Sequence, residues 1–165
     1  MPLSAMIETL AHLVTALGLP FAILVYWVGR RRDRENDERE IYESITSDYN
    51  SFLRLLLEHA DLKIWTHEST RNLDEEQQER LTVLFAVLVS LFERAWLLSF
   101  YPNMSARDAR RWTSWDQYMR DWCQREDFMQ RLPELLEGHD LEFVEHFRKL
   151  AAEEAGKRAA RRLDP

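Results

Sequence analysis

The uncharged stretch at residues 9–28 constrains this 165-residue chain more than any other feature of its sequence. It consists mostly of Leu, Val, Ala, Ile and Phe, and a helix of about twenty residues crosses the hydrocarbon core of a bilayer. Glu8 precedes it, whereas arginine dominates residues 30–34. Because positive charge accumulates on the cytoplasmic side, we predict a single transmembrane helix within residues 1–29. Its N-terminus would lie outside the inner (cytoplasmic) membrane, with the rest of the chain in the cytoplasm.

Two other interpretations of this stretch fit its charge pattern less well. A cleaved signal peptide carries positive charge before its apolar region and a small-residue cleavage site after it, and here the order of charge is reversed. A buried core helix rarely combines about twenty uncharged residues with an adjacent arginine cluster. The membrane is therefore the first predicted partner of the chain.

The predicted span has two faces that bear on assembly. Small residues let helix backbones approach closely in lipid, and they form one stripe, expected to be an oligomerisation face: Ala11, Thr15, Gly18 and Ala22. Polar side chains recur every three residues and would face other subunits or a water-filled lumen: Thr9, His12 and Thr15. The alternative is that the threonines bond their own backbone and His12 reaches the membrane interface.

After the span, the sequence predicts an all-α protein. Residues 30–40 are charged or polar on every side and are predicted to form a helical stalk that leads from the membrane helix. Apolar residues at helical spacing continue it as an amphipathic helix over residues 41–56, and residues 59–73 are predicted to be a loop.

Capping residues predict three further helices. They run from Asp74 to about Tyr101, from Ser105 to about Leu132 and from Asp140 to about Arg162. Pro102 and Pro133 are expected to end the first two of these, and the uncharged middle of the first, residues 81–92, is expected to be buried. The fold predicted for residues 41–165 is an antiparallel bundle of about four helices.

Composition excludes several classes of function. A net charge of −7 excludes general nucleic-acid binding, which needs a basic face, and the few glycines form no phosphate-binding loop. The single cysteine, Cys123, excludes an internal disulfide and is predicted to be a buried, inert thiol. No histidine has the spacing to Glu that helical metal sites require, so we predict no metal ligand and no cofactor.

One short motif resembles a ribonuclease signature. The segment Arg54-Leu-Leu-Leu-Glu-His59 is similar to the Arg-x4-6-His motif of the HEPN ribonucleases, small helical proteins in which Arg and His converge across a dimer on RNA. The resemblance implies Arg54 and His59 as catalytic residues. A chain this rich in arginine contains such a match by chance, so we predict no catalysis and keep the membrane-tethered ribonuclease as an alternative.

The layout of the chain resembles that of small bacterial membrane-anchored helical proteins. The segments 52–59 and 91–96 resemble stretches of uncharacterised bacterial families of this kind. An N-terminal membrane helix joined to a small helical domain also resembles the HEPN-like accessory proteins of RNA-targeting CRISPR systems, which assemble into ring-shaped membrane pores. The resemblance implies a homo-oligomer, acting as a pore-forming effector or an assembly scaffold in a bacterial stress or defence response. A monomeric adaptor that docks a soluble partner is a further alternative.

An arginine and tryptophan cluster is the remaining candidate site. Tryptophans crowd the predicted third helix, and arginines precede them where the helix dipole disfavours positive charge. This pattern is typical of a pocket for an anionic ligand or of a docking face for a soluble protein, formed by Arg107, Arg110, Arg111, Trp112 and Trp115. The same spacing also fits a buried aromatic core with the arginines paired to Asp108 and Asp116.

Overall fold

The computed structural model describes residues 26–27, 39–66 and 68–163 of the protein. The chain divides into two units, Met1–Tyr42 and Glu43–Pro165. In the first unit, Tyr26, Trp27 and residues 39–42 are helical, and both aromatic side chains are exposed. The rest of the predicted span and most of the stalk lie outside the described residues, as do both faces of the span: Thr9, Ala11, His12, Thr15, Gly18 and Ala22.

The second unit is helical, and its described residues contain no strand, which confirms the all-α prediction. Helix α1 covers residues 43–58, and a single 3-10 turn, Ala60–Leu62, follows it. The remaining helices are α2 (Glu75–Ser99), α3 (Ala106–Trp122), α4 (Glu126–Leu135) and α5 (Leu141–Leu163).

The predicted starts of three helices are confirmed. The Asp74 carboxylate accepts from the Gln77 backbone N–H at 2.8 Å while the Gln77 side chain accepts from the Asp74 N–H, so a complete capping box opens α2. The Ser105 hydroxyl accepts from the Asp108 N–H at the start of α3. The Asp140 carboxylate accepts from the backbone N–H of Phe143 at the start of α5. Gly138, with φ of +81°, makes the turn before α5 in a conformation that other residues rarely adopt.

The predicted extent of the third helix is wrong. A continuous helix from Ser105 to Leu132 was expected, but α3 ends at Trp122 and α4 begins at Glu126. The described residues of the second unit therefore form five helices where about four were expected. Pro133 also lies inside α4 and does not end it. The short turn Ala60–Leu62 likewise interrupts the predicted loop over residues 59–73.

The break between α3 and α4 places a buried arginine. Arg125 is only 2% exposed, although charged side chains are almost never fully buried unless paired. Its guanidinium donates to the backbone carbonyls of Lys63, Ile64 and Thr66 at 3.2, 2.8 and 2.6 Å, and to both carboxylate oxygens of Asp127 at 3.0 and 2.7 Å. A continuous helix through residues 122–126 would carry this side chain elsewhere, so a contact about sixty residues away in sequence decides the local structure.

The core is built mainly around α2. This helix packs against α3, α4 and α5, and α1 adds its apolar face to the same core. Aromatic rings meet edge to face at the centre, with ring centroids 5.1 Å apart for Phe85 and Phe128 and 5.9 Å apart for Phe52 and Trp122. Within the described part of the chain, α2 is also the one helix long and apolar enough to cross a membrane, and half of its apolar window is buried.

We expect Arg125→Met to destabilise the protein by about 3 kcal/mol, because it leaves Asp127 and three carbonyl groups buried without their partner. The measurement is urea unfolding of the full-length chain in detergent, followed by circular dichroism. Arg54→Ala removes an exposed arginine on α1 and serves as the control, with a change of about 0.5 kcal/mol or less. Equal effects of the two substitutions would contradict the structural role of Arg125.

Candidate functional site

The two residues of the ribonuclease-like motif do not meet in the structure. Arg54 is exposed on α1. His59 follows the end of that helix, where its Nδ1 lies 3.5 Å from Nη1 of Arg80 on α2. No contact joins Arg54 to His59 within the described residues, so a single copy of the domain does not assemble this pair.

The arginine and tryptophan cluster is split between surface and core. Trp112 and Trp115 are 6% and 3% exposed, so both indoles lie in the aromatic core. Arg107 and Arg110 are exposed and Arg111 is half-buried at the start of α3. The structure therefore does not bring the indoles and the guanidinium groups together on one surface. Buried indoles are what the interpretation as an aromatic core describes.

The arginines at the start of α3 lie beside Asp108. Arg107 and Arg111 each approach its carboxylate at 3.8 Å. Hydrogen bonds from the hydroxyls of Ser105 and Tyr101 are the main reason that the pKa of Asp108 lies below its ordinary value. A negative charge in the first turn of a helix interacts favourably with the helix dipole, and here it also balances part of the positive charge of the nearby arginines.

A histidine in an aromatic setting is the feature that sequence reasoning missed. The His146 ring lies 4.6 Å from the Trp96 ring and 5.9 Å from the Trp112 ring. Its Nε2 lies 3.0 Å from Oδ1 of Asp116, which joins α5 to α3. Spacing within one helix gives no signal for this pair, because the two partners lie thirty residues apart.

Asp116 also belongs to a charged network between α3 and α5. The Nε of Arg120 donates to Asp116 at 2.8 Å, and its Nη1 donates to Glu153 and Glu154 at 2.7 and 3.2 Å. Burial raises the pKa of Asp116, but hydrogen bonds from His146 and Arg120 outweigh it and hold the pKa below its ordinary value. Asp116 thus pairs with Arg120 and His146, whereas Arg107 and Arg111 lie beside Asp108.

The chemistry available to these groups is limited. A histidine held by a carboxylate can act as a base. Cys123 is a poor nucleophile, because burial raises the pKa of its thiol to about 12. Cys123 is fully buried, as expected. Within the described residues no cluster of three His, Cys, Asp or Glu side chains could hold a metal ion. The hydrogen bonds of this network connect α3 to α5.

A further candidate interaction surface is the solvent-facing side of α2. No charged residue occurs between Leu81 and Phe92, and each turn of this stretch exposes residues on one side. Val83 is 55% exposed, and Val87, Ala86 and Ser90 are also exposed. We call this surface the α2 face and define it as residues 83, 86, 87 and 90, with Glu79 and Arg94 as its charged flanks. An uncharged helix face of this length is typical of a surface that binds a partner.

No protein-family model matches the chain, and no curated protein or solved structure has significant similarity to it.

We expect the stability of the protein to fall as the pH drops into the acid range. Asp108, Asp116 and Glu154 all have lowered pKa values, so their contributions are present above the unfolded pKa and are lost as the pH falls through the folded one. Asp116→Asn should cost about 1 kcal/mol or more at neutral pH, because charge-assisted hydrogen bonds are lost. The cost should shrink toward pH 3 (about one unit below the usual pKa of Asp). Urea unfolding across a pH series measures this.

Glu137→Gln is the control, since this exposed carboxylate lies outside the network. A cost of Asp116→Asn that stays constant from neutral to acid pH would contradict the electrostatic explanation.

Proposed function

We propose that the chain is a single-pass inner-membrane protein that assembles into a homo-oligomer, as a scaffold or a pore in a bacterial stress or defence response. In this proposal residues 1–29 anchor the protein with the N-terminus outside, and the helices form an antiparallel bundle in the cytoplasm. The uncharged stretch 9–28 and the arginines after it support the anchor. The exposed, uncharged α2 face is the observation that carries the assembly.

A second copy of the same helix fits the α2 face by charge. When two copies of α2 pack antiparallel about a twofold axis between residues 86 and 87, Glu79 of each lies opposite Arg94 of the other. Ala86 then faces Val87, so a small side chain meets a larger one at the centre. A twofold contact of this kind is self-complementary, which is the commonest symmetry of soluble oligomers.

The charged flanks are exposed to solvent where such a contact would form. The Arg94 side chain is 53% exposed although it bridges to Asp48 at 2.9 Å. Glu79 is exposed, and within the described residues no cation pairs with it. Each pair formed across the interface would therefore add an attraction that fixes the antiparallel orientation, since a parallel arrangement places Glu79 beside Glu79 and Arg94 beside Arg94.

The chief rival function is a membrane-tethered ribonuclease. It requires Arg54 and His59 from two copies to meet on RNA. The proposed antiparallel contact uses α2, whereas Arg54 lies on α1, so that contact does not itself bring these residues together. Cleavage of single-stranded RNA that is lost in both Arg54→Ala and His59→Ala would favour this rival over a non-catalytic assembly. A soluble protein on the α2 face, or an anionic ligand at Arg107, Arg110 and Arg111, would instead indicate a monomeric adaptor.

We expect Ala86→Cys to form a disulfide between copies. The twofold axis passes between residues 86 and 87, so the two copies of residue 86 lie at about the same level along the helix axis. Full-length protein in native membranes is oxidised with copper phenanthroline and examined by non-reducing electrophoresis. Buried Cys123 keeps the background low. A covalent dimer is the expected product.

Ser90→Cys is a matched control on the same face and changes only oxygen to sulfur. In the antiparallel pair its two copies are about 10 Å apart along the axis, beyond the reach of a disulfide. Equal crosslinking at both positions would indicate parallel packing, and crosslinking at neither would exclude a second copy from the α2 face.

We also expect Gly18→Leu to break or loosen the assembly, because a large side chain prevents close contact along the small-residue stripe of the span. The particle mass of wild type and variant is compared in the same detergent. Leu13→Ile is the conservative control and should leave the mass unchanged. Identical monomeric masses for all three proteins would exclude the homo-oligomer.

A further inference from the structure

An exposed tryptophan sits on a turn that the interior of the protein holds rigid. Trp65 is 68% exposed, whereas the four tryptophans of α2 and α3 are buried. The carbonyls of Ile64 and Thr66 on either side of it both accept from buried Arg125. The hydroxyl of Thr66 also donates to the Lys63 carbonyl at 2.9 Å. A large exposed indole with a fixed backbone loses little entropy when it binds a ligand.

The Trp65 turn forms one wall of a cleft. The cleft has a volume of about 270 Å³, and Tyr49, Tyr118 and Trp122 supply most of its other apolar surface. The Tyr49 and Tyr118 rings are stacked with centroids 4.9 Å apart. Burial raises the pKa of Tyr49, so its hydroxyl stays neutral at physiological pH. Two helices, α1 and α3, and the Trp65 turn thus place aromatic side chains around one small space.

The charge of this cleft comes from Asp121. Arg125 also lines it, but its donors are taken by carbonyls and by Asp127, whose carboxylate neutralises it. Asp121 accepts from the side-chain amides of Gln117 and Gln124 at 2.8 and 3.3 Å, both on Oδ1. Among the described residues no Lys, Arg or His forms an ion pair with it. The cleft therefore has one negative charge that no cation of the described protein balances.

We propose that this cleft binds a small organic ammonium ion. Electron-rich ring faces attract a cation whose charge is spread over methyl or methylene groups, and a neighbouring carboxylate adds a direct charge partner. The volume accommodates a ligand the size of choline or slightly larger. Arg125 acts as a positioning residue, because it fixes the turn that carries Trp65 and does not reach the ligand.

The test uses full-length protein in a maltoside detergent, which has no ammonium group. Calorimetric titration compares choline with 3,3-dimethylbutan-1-ol, its neutral isostere. Choline is expected to bind at least about tenfold more tightly, because the isostere has the same shape without the charge. Equal binding of the two, or no saturable binding of choline, would overturn the proposal.

Two variants locate the site. Asp121→Asn and Trp65→Leu should each weaken choline binding by about tenfold or more, while Glu137→Gln, which removes an exposed carboxylate elsewhere, should leave it unchanged. Circular dichroism and thermal melting confirm that each variant is folded. Choline binding that survives both cleft variants at full strength would place the ligand elsewhere and overturn the assignment. Because the α2 face is not involved, this result is independent of the oligomeric state.

Discussion

The buried guanidinium of Arg125 is the interaction on which the rest of the domain depends. It donates to the backbone carbonyls of Lys63, Ile64 and Thr66, and Asp127 balances its charge. To deliver this group, the chain leaves the helical conformation between Trp122 and Glu126. The same contact fixes the Trp65 turn about sixty residues earlier, so one side chain determines a helix boundary, a loop conformation and one wall of the aromatic cleft.

A second polar network lies in the C-terminal half of α3. Asp116 and Arg120 connect this helix to His146, Glu153 and Glu154 of α5. Much of the remaining contact between core helices is apolar, and apolar packing alone tolerates small sliding movements. Directional hydrogen bonds in the C-terminal half of α3, and from Arg125 just beyond its end, limit that freedom. The domain is thus a structure in which the aromatic core provides burial and two charged networks provide orientation.

The sequence predicted the features that depend on contacts between residues close together in the chain, and it did not predict those that depend on distant residues. Helix starts at Asp74, Ser105 and Asp140 were predictable because the capping side chain and its partner lie within three residues of each other. The break before Glu126 was not predictable, because its cause lies at residues 63–66. Pro133 was expected to end a helix, yet one lost backbone hydrogen bond near the end of α4 is offset by burial of the leucines beside it, Leu132 and Leu136. The spacing of Trp112 and Trp115 was equally consistent with a buried core and with a ligand pocket. Helical periodicity shows which residues share a face of the helix, but not whether that face is covered by other helices or is open to a ligand.

The buried position of the only cysteine has a consequence for how the protein is controlled in a cell. Cys123 cannot reach a thiol of another chain, so copies of this protein cannot be joined covalently through disulfides. Any complex that they form obeys mass action, and its amount rises steeply with the concentration of chains. Expression level, rather than redox state, would then decide when the protein is assembled.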